Sequence, residues 1–265
     1  MSRFLTISAV LFMLAPLSSV LAGGGGTRLP TYAELTQALA QVCKASVNNG
    51  AIFSPAQMWA AVVGRAGTVV AVTKTIGEDP WPGSRVIAMQ KAYTANAFSN
   101  RKLALSTANL FTAVQPGGSL YGLQHSNPVN AANAYGWGVG NYGTARDPAV
   151  GKIVGGVNVF GGGVSLYHQK TGEVLGALGV SGDSSCADHV IAWRVRHALG
   201  FGAVPGGVNK SLYGGAKAPS GGDDNIIYEE GSGFRHPACG FGEKSVSDLP
   251  AMQNIVKPVA KATGK

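Results

Sequence analysis

The fold is decided by Val174-Leu-Gly-Ala-Leu-Gly-Val-Ser-Gly-Asp183 and by the Ser184-Ser-Cys-Ala-Asp-His189 that follows it directly. The apolar run up to Val180 predicts a buried strand, and the glycines on either side of Ser181 predict a tight corner. Ser185 and Asp188 stand three residues apart, a spacing typical of a capped first helical turn. The stretch therefore predicts a strand, a glycine corner and a helix that runs to about Leu199.

Two further strands are expected immediately upstream of this unit. The β-rich runs at 153–160 and 164–168 are joined by the Gly161-Gly-Gly163 turn, and residues 169–172 form a second turn before the strand at 173–180. The sequence therefore predicts three consecutive antiparallel strands before the last helix.

The first half of the chain predicts a helix, a hairpin and a second helix. Thr31-x-x-Glu34 is a capping box that begins a helix reaching about Asn49. The β-rich runs at 59–63 and 68–73 read as a hairpin, and Ser84 begins a helix that reaches about Asn100. A shorter helical stretch is expected at 103–114. Strands in two antiparallel groups with helices between them define an α+β fold.

Residues 116–148 interrupt this pattern. They are rich in Gly, Asn and Tyr and have neither a helical nor a strand period. A loop of this length inside a compact domain is commonly functional or disordered, and its aromatic residues argue against simple disorder. We interpret 116–148 as an insertion in the domain.

Several segments, in order along the chain, resemble the GlcG/HbpS-like family. They are Ser84, Lys91-Ala-Tyr-Thr-Ala95, Gly162-Gly163 and the segment from Gly176 to Gly182. The resemblance implies a profilin-like domain over 30–204, with a five-stranded antiparallel sheet and flanking helices. It also implies haem as the cofactor and a homo-oligomer, since family members are often oligomeric and several bind haem.

The N-terminus has the pattern of an export signal. Met1-Ser-Arg3 precedes an apolar run to Leu17, and Val20-Leu-Ala22 fits a cleavage site. We expect a signal peptide at 1–22, a flexible leader at 23–29 and a periplasmic or secreted protein. No other segment is apolar and long enough to cross a bilayer, so stable membrane insertion after cleavage is not expected.

The chain of 265 residues carries a formal charge of +8, and its basic residues are dispersed. Without a basic stripe, a nucleic-acid partner is not expected. A positive surface suits a small anionic ligand such as a propionate-bearing porphyrin.

Three cysteines lie in a chain that we expect to be exported, where disulfides form. Cys186 begins the last helix and Cys239 lies in a turn, so we expect these two to pair and Cys43 to be buried in a helix. Spacing alone leaves a pairing of Cys43 open. A Cys186–Cys239 bridge would pack the Gly/Pro-rich extension at 205–265 onto the domain.

The candidate ligands for haem iron are mainly histidines. His125 lies among aromatic residues of the insertion, including Tyr121, and is the first candidate for an axial iron ligand. An exposed loop histidine is the alternative reading. His189, in the first turn of the last helix, is the second candidate. Lys91 and Tyr93 belong to the family-like segment, where Tyr93 either lines a pocket or is a core aromatic.

No catalytic constellation is found. Gly179-Val-Ser-Gly182 begins like a nucleophile elbow, but Asp183 stands where the motif needs glycine. Gly138-x-Gly140-x-x-Gly143 lacks the flanking strand and helix of a dinucleotide site.

We expect an exported haem-binding protein with a carrier, sensor or degradation role. If it is an enzyme, its chemistry would be haem-dependent peroxide or haem-degrading chemistry. The alternative is a non-haem binding or interaction module for a small organic acid or a protein partner.

Overall fold

The computed structural model describes residues 28–45, 50–208, 224–243 and 259. The expected signal peptide at 1–22 lies outside the described residues, as does the leader up to residue 27. The extension at 205–265 is described only in part.

The described helices and strands follow the predicted order closely. Helix α1 spans Tyr32–Lys44, strands β1 and β2 span Trp59–Gly64 and Val69–Lys74, and helix α2 spans Ser84–Ala97. Later come strands β3 at Gly163–Tyr167 and β4 at Val174–Ser181. Two short helices, α3 at Leu123–Ser126 and α4 at Ala131–Ala134, lie inside the insertion, and α5 closes the domain at Ser185–Ala198.

The sheet of the described residues has four strands, in the order β2-β1-β4-β3, and every neighbouring pair is antiparallel. The expectation of five strands is therefore wrong for this part of the chain. Residues 153–160 form no strand and make only isolated bridges at Ile153 and Gly155. The physical reason is that Gly155 and Gly156 both have positive φ, at 69° and 82°, which breaks an extended ladder. Residues 225–228 of the extension form no strand either.

The sheet lies between two layers of helix. Along β1, Ala60 and Val62 face the cluster formed with α1 and α5, while Ala61 and Val63 face the cluster formed with α2. This alternation is the two-residue period of a strand that is buried on both faces. The result is a three-layer α+β domain in which α2 and the insertion share one face of the sheet.

The expected caps are present at α1 and, one residue earlier, at α5, whereas α2 has no side-chain cap; α1 and α2 end at Lys44 and Ala97, before the expected Asn49 and Asn100. The Thr31 and Glu34 capping box is present at the start of α1. At α5 the capping residue is Ser184, one residue earlier than expected, and its hydroxyl accepts a hydrogen bond from the Ala187 amide. The 103–114 stretch contains two 3-10 turns, at Ala108–Leu110 and Thr112–Val114, in place of a single short helix.

None of the helices within the described ranges combines the length and apolarity that a bilayer span requires.

Candidate functional site

The glycine corner is the place where β4 runs into α5 and where the Gly161–Gly163 turn packs against both. Gly162 has φ +112°, and a Cβ there would stand 2.3 Å from the Val180 carbonyl oxygen. Only glycine fits that conformation and that space. The corner brings α2, β4, α5 and the C-terminal extension within contact of one another.

A buried ion pair joins α2 to α5 at this corner. The Lys91 ammonium donates to an Asp188 carboxylate oxygen at 2.7 Å and to the Val180 carbonyl at 3.1 Å. Burial lowers the pKa of Lys91, and burial raises the pKa of Asp188 to about 6. The Lys91 ammonium is thus paired with Asp188 inside the protein. It is not exposed to solvent, as a partner for a haem propionate would be.

A second carboxylate, Asp183, holds the loop at Ile52 and Phe53 against the glycine corner. It accepts hydrogen bonds from the backbone amides of Ile52, Phe53 and Ser184 at 2.6 to 2.9 Å. A carboxylate that accepts three amide hydrogen bonds holds its loop firmly. Asp183 therefore has a structural role, and its charge is already paired with backbone dipoles.

His189 is fully buried in the first turns of α5, with its ring 6.1 Å from that of Trp193. Neither ring nitrogen has a hydrogen-bond partner among the described residues, although the Asn225 side chain approaches the ring. Burial lowers the pKa of His189 to about 3, so the imidazole is neutral at physiological pH. A neutral imidazole is a competent iron ligand, but the ring is completely buried, with Asn225 and His236 of the extension beside it.

The extension brings His236 and Cys239 to the start of α5. Cys239 forms a disulfide with Cys186, with the two Cα atoms 6.2 Å apart, which is the pairing that the sequence predicted. Cys43 is buried in α1 with a free thiol, and burial raises its pKa to about 12. His236 is buried and contacts the Ser185 hydroxyl oxygen at 2.7 Å through Nε2.

The insertion is anchored from α2 and carries its candidate ligands at the surface. His125 is exposed on α3, and Tyr121 has 64% of its surface exposed just before that helix. Leu123 of α3 packs on a buried cluster that includes Leu110 and Val114, which fixes the helix to the domain. The described insertion is thus folded, with short helices that its sequence pattern did not predict.

The predicted ligand residues therefore occupy three places. His125 and Tyr121 lie on the insertion, and Lys91 and His189 lie at the glycine corner. Tyr93 is half-buried on α2, and its ring packs against the hairpin turn at Gly67. The structure brings Lys91 and His189 to one corner and places the other three elsewhere.

Two partners at this corner were missed by sequence reasoning. Asp188 was assigned to helix capping, and it proves to be the counter-ion of Lys91. His236 was not among the predicted site residues, and its ring contacts the Ser185 hydroxyl across 51 positions of sequence. The local signal for His236 was its position three residues before Cys239. A residue so near Cys239 must lie close to the cysteine with which Cys239 forms its disulfide.

A shallow cavity of about 20 Å³ lies at another part of the domain, and it is lined by Arg28, Pro30, Glu34, Leu199, Phe201 and Val259. Arg28 faces it, but its guanidinium is paired with the Glu34 carboxylate at 2.8 Å. The cavity therefore offers no unpaired charge for an anionic ligand.

The family profile described as haem-degrading protein HbpS-like matches residues 33–196. This span is more than half of the chain, and the chain belongs to the HbpS-like family. No curated protein matches the chain significantly.

Three solved structures are similar to parts of the chain. Klebsiella pneumoniae protein ORFY is 25% identical, with 67% of this chain and 94% of that chain covered and a TM-score of 0.41. A PduOC:haem complex is 24% identical, with 65% and 94% covered and a TM-score of 0.43. A double mutant of Streptomyces reticuli HbpS is 18% identical, with 73% and 98% covered and a TM-score of 0.40.

Proposed function

We propose that this chain is an exported haem-binding protein with a profilin-like domain. The observation that carries the proposal is the match of residues 33–196 to the haem-degrading HbpS-like family. Export rests on the signal pattern at 1–22, and a Cys186–Cys239 disulfide suits an oxidising compartment such as the periplasm. The charge of +8 suits a ligand with two propionates.

His125 is the proposed axial ligand, and Tyr121 is proposed to line the same site. Both side chains are exposed, so a flat ligand reaches them without rearrangement of the core. They lie four residues apart on one short folded segment, and imidazole and phenolate are both established donors to haem iron. These residues fit the group because they offer unengaged donors on a surface backed by the apolar cluster under Leu123.

His189 is the second candidate for the axial ligand. Its neutral imidazole favours it, but its complete burial means that residues 224–243 must move before iron reaches it. The two candidates therefore predict different behaviour. Binding at His125 needs no movement of this segment, whereas binding at His189 requires residues 224–243 to be displaced.

Bound haem would supply redox-active iron for a carrier, sensor or degradation role. The chain's own residues would hold and orient the group. Any turnover with peroxide would use that iron.

The test is a hemin titration of the chain from residue 23 onward, followed by the Soret band. Wild type is expected to give a saturable shift, and His125→Ala is expected to weaken binding by tenfold or more. His197→Ala, a half-buried histidine near the end of α5, is the matched control and should bind as wild type does. Equal binding by wild type and His125→Ala would reject His125, and non-saturable binding by wild type would reject the function.

One observation favours the alternative, a non-haem interaction module. Tyr135, Trp137 and Val139 of the insertion are 64%, 98% and 73% exposed, and clustered apolar side chains at a surface commonly mark a contact. A homo-oligomer formed through this surface would bury them. Trp137→Ser should then reduce the mass measured by light scattering while hemin has no effect on wild type.

A further inference from the structure

Three metal-ligating residues meet where the extension crosses the start of α5. Cys186, His236 and Cys239 each offer a ligand atom, and these atoms lie within 4.8 Å of one another. As the structure stands, both sulfurs belong to the disulfide and neither is a free thiolate. Two thiolates and one imidazole are the donor set that zinc prefers, with water as the fourth ligand of a tetrahedral site.

We propose that reduction of the Cys186–Cys239 disulfide converts this cluster into a zinc site. A dithiol reductant donates two electrons, so that the S–S bond breaks, two protein thiols form and the reductant becomes a cyclic disulfide. Zinc then displaces one proton from each thiol and binds both sulfurs and His236. The site is independent of the proposed haem function and uses neither His125 nor Tyr121.

The two sulfurs differ in exposure, and this difference decides which of them the reductant attacks. Cys239 is partly exposed, whereas Cys186 is completely buried. A dithiol therefore attacks the Cys239 sulfur and releases Cys186 as the leaving thiolate. Cys186 lies in the first turn of α5, where the helix dipole stabilises a negative charge.

The ligands stay together after the bond breaks because other contacts anchor the extension. The Arg235 carbonyl accepts hydrogen bonds from the amide and hydroxyl of Thr112, at 3.2 and 2.5 Å. The Asp224 carboxylate accepts two hydrogen bonds from the Arg196 guanidinium of α5, at 2.6 and 2.8 Å, and within the extension the His236 amide donates to the Ile227 carbonyl at 2.7 Å. The Glu243 carboxylate accepts from the amides of Cys239, Gly240 and Phe241, and these bonds hold the local turn that carries Cys239.

His236 is already oriented as metal-bound histidines are. Its Nε2 contacts the Ser185 hydroxyl and its Nδ1 contacts the Pro237 carbonyl, each at 2.7 Å. Whichever nitrogen binds the ion, the other keeps an anchor that fixes the ring.

The experiment measures zinc stoichiometry in oxidised and reduced protein, by competition with a chromogenic chelator after the reductant has been removed under argon. We expect one zinc per chain in the reduced form and none in the oxidised form. Cys239→Ser should abolish binding, and His236→Gln, which retains hydrogen bonding to Ser185, should weaken it by about tenfold or more. Cys43→Ala is the control for the remaining thiol and should bind as wild type does.

Two further readouts decide the proposal if a variant misfolds. Cadmium added to reduced wild type should give the ultraviolet thiolate charge-transfer band, with two thiolates per ion. Hydrogen exchange should show that residues 224–243 stay protected after reduction. Reduced wild type that binds no zinc, binding unchanged in His236→Gln, or loss of that protection would each overturn the proposal.

Discussion

The Arg85 guanidinium and the Asp147 carboxylate form a buried, two-point ion pair that joins α2 to the end of the insertion. Arg85 Nε donates to Oδ2 at 2.9 Å and Nη2 donates to Oδ1 at 2.5 Å, and both side chains are at most 2% exposed. Arg85 also donates to the Ala134 carbonyl and lies 3.7 Å above the Tyr142 ring. One arginine therefore fastens three parts of the insertion to the domain.

Asp147→Asn should lower the free energy of unfolding by about 3–5 kcal/mol, because it leaves the Arg85 charge buried without its partner. Urea denaturation of the variant measures this loss. Arg101→Ala is the control, since Arg101 and Glu173 form an exposed pair at 3.9 Å, and it should cost less than about 1 kcal/mol. Equal losses in the two variants would contradict the role of the Arg85 pair.

Gly179 sets the distance between the sheet and α2. A Cβ at this position would stand 1.9 Å from the Ala88 carbonyl oxygen, so Gly179→Ala pushes the helix away from the strand. We expect a loss of about 1–3 kcal/mol in thermal or urea unfolding, the usual cost of overpacking. Gly140→Ala is the matched control, because the same added Cβ has no heavy atom within 4 Å at that position. It should leave the free energy of unfolding within about 0.5 kcal/mol of wild type.

Glu34 makes the stability of α1 depend on pH. Hydrogen bonds from Arg28, followed by those from Thr31, lower the pKa of Glu34 to about 2 against the opposing effect of burial. The stabilisation is therefore present above about pH 4.5 and disappears as the pH falls toward 2, because the unfolded state binds the proton first.

Glu34→Gln should accordingly be less stable than wild type at pH 7, by about 1–2 kcal/mol, and the two should converge as the pH falls toward 2. Unfolding curves measured across this pH range provide the check. A difference that stays constant with pH would mean that packing, and not the carboxylate charge, accounts for the effect.

The disulfide should stabilise the domain chiefly through the unfolded state. Its cysteines are 53 residues apart, and the chain-entropy estimate for such a loop is about 4 kcal/mol. Cys186→Ser with Cys239→Ser should therefore lower the melting temperature, and reduction of wild type should reproduce that decrease in the absence of zinc. Cys43→Ala keeps the disulfide and should therefore show the same decrease on reduction as wild type does, since Cys43 takes no part in the bridge.

Local patterns in the sequence predicted most of the fold. The Thr31 capping box, the hairpin and the strand–corner–helix unit at 173–199 depend on neighbouring residues, and the structure contains all of them. The predicted strand at 153–160 was wrong because β-favouring residues surround Gly155 and Gly156, whose positive φ values could not be inferred from composition.

The site was less predictable because its contacts join distant segments. Asp188 pairs with Lys91 across 97 positions, and Asp147 pairs with Arg85 across 62. No spacing rule relates such residues, and only the packing of α2 against the sheet brings them together. The choice of His125 over His189 remains a prediction.

The most direct test of the central claim is a hemin titration of the chain from residue 23 onward, with Soret absorbance and tryptophan fluorescence recorded together. A haem-binding protein predicts a defined endpoint at a fixed ratio of haem to chain, with both signals saturating at the same ratio. Gradual, non-saturating changes at any ratio, equal to those of an unrelated basic protein, would contradict the claim.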